Sequence, residues 1–302
     1  MRFGLLGTGH WAEHTHAAAL AAHPDAEFTG VWGRRPEAAE ALAERYGVRR
    51  HDTVDGLLAD CDAVAVALPP DVQAPLAVRA AEAGRHLLLD KPLATTVDGA
   101  RAVADAVTRS GVRSVVFFTL RFAPASARWI AEQTVTGGWT LGRADWFSPV
   151  FGGSDSPYAA SPWRREKGAL WDIGPHALSV LLPVLGDLAG TGDTGTGDAR
   201  LADAVTAVRG PGDTVHLVLR HEGGASSTVL VSHSVPTAAA GVAAELRGSA
   251  GVVALPEREE PAAVAHGRAV DALLSGEPHP CDVRFALRVT EILAAAEARL
   301  DA

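Results

Sequence analysis

Short apolar runs recur through the first ~120 residues: FGLLG (3–7), FTGVWG (28–33), AVAVAL (63–68), HLLLD (86–90) and SVVFFT (114–119). They are apolar throughout rather than alternating, which is the signature of parallel strands covered on both faces. Helix-period stretches lie between them at 11–22, 36–47, 71–84 and 96–111, several closing on glycine (Gly47, Gly84, Gly111) as helix C-caps do. The order strand–helix–strand predicts a Rossmann-type parallel sheet over 1–120.

Beyond 120 the period changes. A helix at about 122–134, a strand TLGRADWFS, a Gly/Ser/Pro-rich loop (149–162) and a helix GPHALSVLLPVLG come first. The alternating runs ADAVTAVRG, TVHLVLRHE, SSTVLVSHS and AAELRG then predict an open, mostly antiparallel sheet. Helices at 261–275 and 282–301 close the chain, and TGDTGTGD (191–198) reads as a surface loop. The expected division is a dinucleotide-binding domain, 1–120, and an α+β substrate and oligomerisation domain, 121–302, whose last helix can pack back on the first.

Charge and composition narrow the function classes. With a net charge of −9 and no long basic run, the chain is a poor ligand for nucleic acid. The strand and glycine turn at its start have no signal-peptide shape, and no apolar run reaches the ~18–20 residues of a bilayer span. The expectation is a cytoplasmic protein with no membrane partner. Two cysteines, Cys61 and Cys281, make neither a disulfide framework nor a zinc set. His10, His14 and His16 lack a further aligned ligand and read as helix-surface residues, so no metal is expected.

Gly7-Thr8-Gly9-His10-Trp11-Ala12 sits where the first strand becomes a helix. Gly7 suits a tight turn, and Gly9 lets first-turn N–H groups approach a pyrophosphate. At the tip of the second strand Gly33, Arg34 and Arg35 stand where NAD enzymes usually carry a carboxylate for the ribose, which predicts NADP, with NAD as the alternative. Leu68-Pro69-Pro70 closes the strand AVAVAL on the same sheet edge. Asp90-Lys91-Pro92 closes the next one, so Lys91 is expected at the nicotinamide crevice rather than in the core. Asp172 and His176 flank a helix start marked by Gly174 and Pro175. The helix dipole there disfavours an imidazolium, keeping a proton acceptor available. Trp129 reads as core, whereas Trp11 and Trp163 are placed beside the cleft.

The glycine turn, ALPPD, DKP, LRFAPA (120–125) and D-x-x-x-H together resemble the Gfo/Idh/MocA oxidoreductases. The resemblance implies an NAD(P)-dependent enzyme acting on sugars, polyols or related hydroxy compounds, often as a dimer or tetramer through the C-terminal sheet. It implies Lys91, Asp172 and His176 as the catalytic set, and Arg121, Trp163 and Arg164 as further cofactor contacts, beside Gln73 and Asp90. Asp90 stands for the usual Glu, Gln73 for a common His, and Ser179 for a frequent Asp. Two other readings share the fold: a dinucleotide-sensing protein without chemistry, and a reductase of an imine or C=C bond.

Overall fold

A computed structural model describes residues 1–153, 155–190 and 197–301. Its contacts divide the chain into two units, Met1–Phe122 with Glu260–Thr290, and Ala123–Glu259 with Glu291–Ala302. The segment 260–290, inside the range expected for the substrate domain, thus belongs with the first unit.

The first unit contains β1 (Arg2–Leu6), a six-residue π-helical stretch (Ala12–Ala17) continuing as α1 (Ala18–Ala22), β2 (Glu27–Trp32), α2 (Pro36–Tyr46) and β3 (Arg49–Arg50). Then come α3 (Val54–Ala59), β4 (Ala63–Val66), α4 (Pro70–Glu82), β5 (His86–Asp90), α5 (Val97–Ser110), β6 (Ser114–Phe117) and α6 (Thr119–Phe122). The strands form one parallel sheet in the order β3-β2-β1-β4-β5-β6. Its central strands are fully buried, Val64, Ala65, Leu87 and Leu88 among them, as their unbroken apolar sequence requires. Local chemistry sets the helix ends. Thr96 Oγ1 caps α5 by accepting from Gly99 N at 3.1 Å, and Gly47 and Gly111 end α2 and α5 at φ 64° and 66°.

The second unit begins with α7 (Pro124–Thr136), β7 (Trp139–Phe147), α8 (Pro162–Asp172), α9 (Gly174–Leu185) and α10 (Gly197–Ala204). The strands β8 (Val205–Arg209), β9 (Val215–Arg220), β10 (Ser226–Ser232), β11 (Gly241–Gly248) and β12 (Gly251–Ala254) follow. Two helices near the end of the chain are α11 (Ala262–Leu274), in the first unit, and α12 (Val283–Leu300), shared between the units. The second sheet runs β12-β11-β7-β10-β9-β8 and is antiparallel except where β7 lies parallel to β10. On β9 Val215, Leu217 and Leu219 are buried and His216, Val218 and Arg220 exposed, so one face of the sheet is open.

Helix α8 carries no sequence signal strong enough to predict it, because Gly168 breaks it at φ 62°, ψ −165°. The stretch Pro162–Leu185 is long and apolar enough to cross a bilayer, contrary to the expectation of no such run, but 78% of its apolar window is buried in the protein. It is a core segment. Most of TGDTGTGD (191–196) lies outside the described residues.

Candidate functional site

The carboxyl ends of β1, β2, β4 and β5, neighbours in the sheet, gather the residues expected at a cofactor. After β1, Gly7 takes φ 134° and backs onto the Ala67 carbonyl so closely that a Cβ would collide with it. That close approach requires glycine. Gly9 is exposed with open space where a side chain would stand, and first-turn N–H groups of the helix that follows have no partner within it. Gly33, at the tip of β2, presses against the Thr8 side chain, bringing the two loops together. Arg34 and Arg35 are exposed, and His10 stacks on His14 at 4.1 Å. Trp11 is half-buried against Phe117, their ring centroids 6.4 Å apart. A dinucleotide fits this edge: glycine surfaces and helix-start N–H groups suit a pyrophosphate.

Beyond β4, Leu68 and Pro69 are half-buried, and Pro70 is buried at the first position of α4. Gln73, one turn on, is fully buried. Its Nε2 donates to the carbonyls of Asp90, Pro92 and Leu93 at 2.8, 3.2 and 3.3 Å, and its Oε1 accepts from Asp90 N at 2.9 Å. This corrects the expectation of a cofactor contact: the amide clamps the backbone of the lysine turn instead. Lys91 is half-buried, Pro92 is buried, and the peptide between them is cis. The Asp90 carboxylate is also buried, and His16 Nε2 lies 3.1 Å from its Oδ2. His16 is therefore no surface histidine; the π-helical turn points it inward, which helical spacing alone does not reveal. Arg121 lies over the Phe285 ring at 5.7 Å.

In the second unit, Asp172 ends α8 and His176 occupies the first turn of α9, with Pro175 near the helix start as expected. Asp172 is buried, and Arg164 Nε donates to its Oδ2 at 2.7 Å while His233 Nε2 stands 3.1 Å from the same oxygen. Arg164, expected at a cofactor, is thus engaged with Asp172, its guanidinium lying 4.6 Å from the Trp163 ring and 4.7 Å from Tyr158. His176 stacks on Trp146 of β7 with ring centroids 5.8 Å apart and planes at 10°. Ser179 donates to the His176 carbonyl at 2.7 Å.

Sequence reasoning missed His233 and Asp213. His233 follows β10, is buried, and meets Phe151 edge-on. Asp213 accepts from Ala169 N at 3.0 Å through Oδ2, and from His233 N at 2.9 Å and Ser234 Oγ at 2.7 Å through Oδ1. One carboxylate thereby ties the kink of α8 to the end of β10, the two elements that carry Asp172 and His233. Neither residue falls in a motif or at a telling spacing, so only the fold brings them in.

Cys61 and Cys281 are buried free thiols, and burial pushes each up to about 11. Neither offers a thiolate for chemistry.

Comparison with known proteins agrees with this geometry. A family model described as "Oxidoreductase family, NAD-binding Rossmann fold" matches residues 1–118, and "GFO/IDH/MocA C-terminal domain" matches 140–254. An inositol 2-dehydrogenase of Rhizobium meliloti is 29% identical over 266 residues, covering 87% of this chain and 78% of the relative. A levoglucosan dehydrogenase of Pseudarthrobacter phenanthrenivorans is 30% identical over 208 residues, 63% of this chain but only 52% of that protein. The crystal structure of GenD2 from gentamicin A biosynthesis, in complex with NAD, superposes with a TM-score of 0.82 at 24% identity, covering 100% of this chain and 94% of that one. With both family models matched in sequence order and the strand-end loops in place, the chain belongs to the Gfo/Idh/MocA family of oxidoreductases and carries its NAD(P)-binding Rossmann fold.

Proposed function

We propose that the protein is an NADP-preferring oxidoreductase moving a hydride to or from a carbinol or carbonyl carbon of a sugar, polyol or related hydroxy compound. The nicotinamide, when bound, supplies the hydride chemistry. Lys91 polarises the substrate oxygen, His176 gives or takes its proton, and Asp172 orients the imidazole or a substrate hydroxyl. Inositol and levoglucosan dehydrogenases among the relatives support the substrate class.

The observation that carries the cofactor preference is the tip of β2, where Gly33 abuts Thr8 and the exposed guanidiniums of Arg34 and Arg35 follow with no carboxylate between. A guanidinium fork suits a 2′-phosphate, and a ribose hydroxyl calls for an acid instead. Two buried free thiols support a reducing cytoplasm. The open face of the second sheet exposes Leu141, Val208, Val218 and Val252 beside the ion pairs Arg143–Asp145 and Arg247–Glu245, a mixture that supports self-association into a dimer or tetramer.

Titration with NADPH and NADH, followed by heat or tryptophan quenching, tests the reading. NADPH binding at least about tenfold tighter, lost in Arg34→Ala/Arg35→Ala, supports it, since one charge-assisted contact is worth that much. Tighter NADH binding overturns the preference. Cofactor binding with no turnover across inositols, aldoses and anhydrosugars overturns the substrate class.

A further inference from the structure

Behind the Lys91 turn, the first unit holds two imidazoles that the proposed reaction does not use. His16 lies in the π-helical stretch and His266 on α11, and both are fully buried. His16 Nε2 is 3.1 Å from Asp90 Oδ2, and its Nδ1 is 3.1 Å from His266 Nε2. The two rings lie 4.1 Å apart at 52°, and Phe117 meets His266 edge-on at 4.8 Å. His266 Nδ1 is buried and meets no hydrogen-bonding group among the described residues. Nor is this a metal centre: among those residues, no group of at least three His, Cys, Asp or Glu could hold an ion.

Hydrogen-bond logic restricts where the protons sit. Facing a carboxylate, His16 Nε2 must carry a hydrogen. The hydrogen between the rings then has two homes. On His266 Nε2 it leaves both rings neutral and His266 Nδ1 bare. On His16 Nδ1 it makes His16 an imidazolium, with the hydrogen of His266 on Nδ1. The two arrangements differ by one proton, which enters at the His266 end and appears as charge beside Asp90. Burial, and His16 next to it, hold His266 well below the usual histidine range.

Other charged groups on the packed elements are engaged elsewhere. Glu13 pairs with Arg45, His23 with Asp271 of α11 at 2.9 Å, and Arg268 with Glu260 at 3.5 Å; Arg121 of α6 lies over Phe285. On β5 the other titratable group is His86 at its start, and Lys91 follows immediately after Asp90.

We infer that Asp90, His16 and His266 share protons as one buried unit, and that His266 is a positioning residue for Lys91, fixing through His16 the charge and orientation of the preceding carboxylate. The kinetic consequence rests on the role proposed for Lys91; the shared proton does not. Long-range proton–nitrogen NMR of the 15N-labelled full chain between about pH 5 and 8 tests the unit directly, across the ordinary histidine range. His16 and His266 should show one hydrogen-bonded N–H between them and move together in a single transition. His266→Gln, which can still offer Nε2 to His16 but has no second ring nitrogen through which a proton could pass, should abolish that common transition. Rings that titrate separately, or show no common transition, overturn the inference.

Kinetics supply the second arm. His266→Phe keeps a ring against Phe117 but no nitrogen, and kcat should fall about tenfold, as when a buried charged group loses its hydrogen-bond support. KM and NADPH affinity should stay within about twofold, and the acid limb of the kcat–pH profile should move, because the change reaches the proton relay and not the binding contacts. His266→Gln should recover most of kcat. A His266→Phe profile superimposable on the parent overturns the positioning role. Wild-type protein without turnover on any polyol would overturn the proposed function, leaving the NMR arm to decide this inference.

Discussion

Lys91 and Asp172, one in each unit, are held in opposite ways. The lysine turn is fixed through its backbone by a neutral amide, Gln73, which bonds the peptide groups on either side of Lys91. Asp172 is fixed through its own carboxylate by the Arg164 guanidinium, with the His233 imidazole 3.1 Å from the same oxygen. The difference teaches that a loop can be clamped through its peptide groups at the first place, whereas at the second the reactive carboxylate is itself part of the clamp. Buried charges cannot be removed singly without leaving a partner unmatched.

The largest expected effects come from removing each group. Lys91→Ala deletes the ammonium and none of the bonds made by Gln73. Turnover should drop about 10³-fold, in the range of lost general acid–base assistance, while thermal stability and NADPH affinity hold. Asp172→Ala should abolish turnover to a similar degree and in addition cost up to about 3 kcal/mol of stability, because the half-buried Arg164 loses its carboxylate. Denaturant unfolding beside steady-state rates checks both. A Lys91→Ala protein destabilised as much as Asp172→Ala would break the contrast.

Gln73→Leu inverts the experiment. It is close in volume but strips the backbone of Asp90, Pro92 and Leu93 of its partner, and unsatisfied buried groups cost about 1–3 kcal/mol each, partly relieved by relaxation. Stability should fall by about 2–3 kcal/mol, with kcat lowered less than in Lys91→Ala. A Gln73→Leu protein of parental stability but weakened NADPH binding would restore Gln73 to the cofactor and remove the clamp.

These residues also show what a sequence can disclose. The parallel sheet was legible because five of its six strands are local apolar runs and several helix ends carry their own marker, as at Thr96, Gly47 and Gly111; the two-arginine strand β3 was not. The places of the glycine turn, Lys91, Asp172 and His176 at element ends were legible because each motif is a short local stretch. His233 and Asp213 were not, since they reach Asp172 and Ala169 only through the pairing of β10 with its neighbours. His16 was misplaced because a π-helical turn shifts the inward face by part of a residue step. The parallel β7–β10 pair was hidden for the same reason as His233: alternation fixes which side chains face inward and says nothing of strand direction.

The smallest effect separates the two units by acid. His51, His86, His266 and His279 of the first unit are held below the usual histidine value, burial being the largest cause for each, and in the second unit His221 is shifted the same way. A histidine kept neutral by the fold binds fewer protons than its unfolded counterpart. Its contribution to stability is complete above the unfolded value of 6.5 and declines as pH falls below it. Four such groups in the first unit predict a marked loss there as the pH falls. Hydrogen exchange at pH 5 and pH 7, corrected for intrinsic rates, should therefore show β5, β6 and α11 losing protection before β9 and β10. Were the second sheet to open first, the acid-sensitive element would be the Asp172 carboxylate with its Arg164 and His233 partners, and the charged clamp, rather than the buried imidazoles, would set the acid limit of the fold.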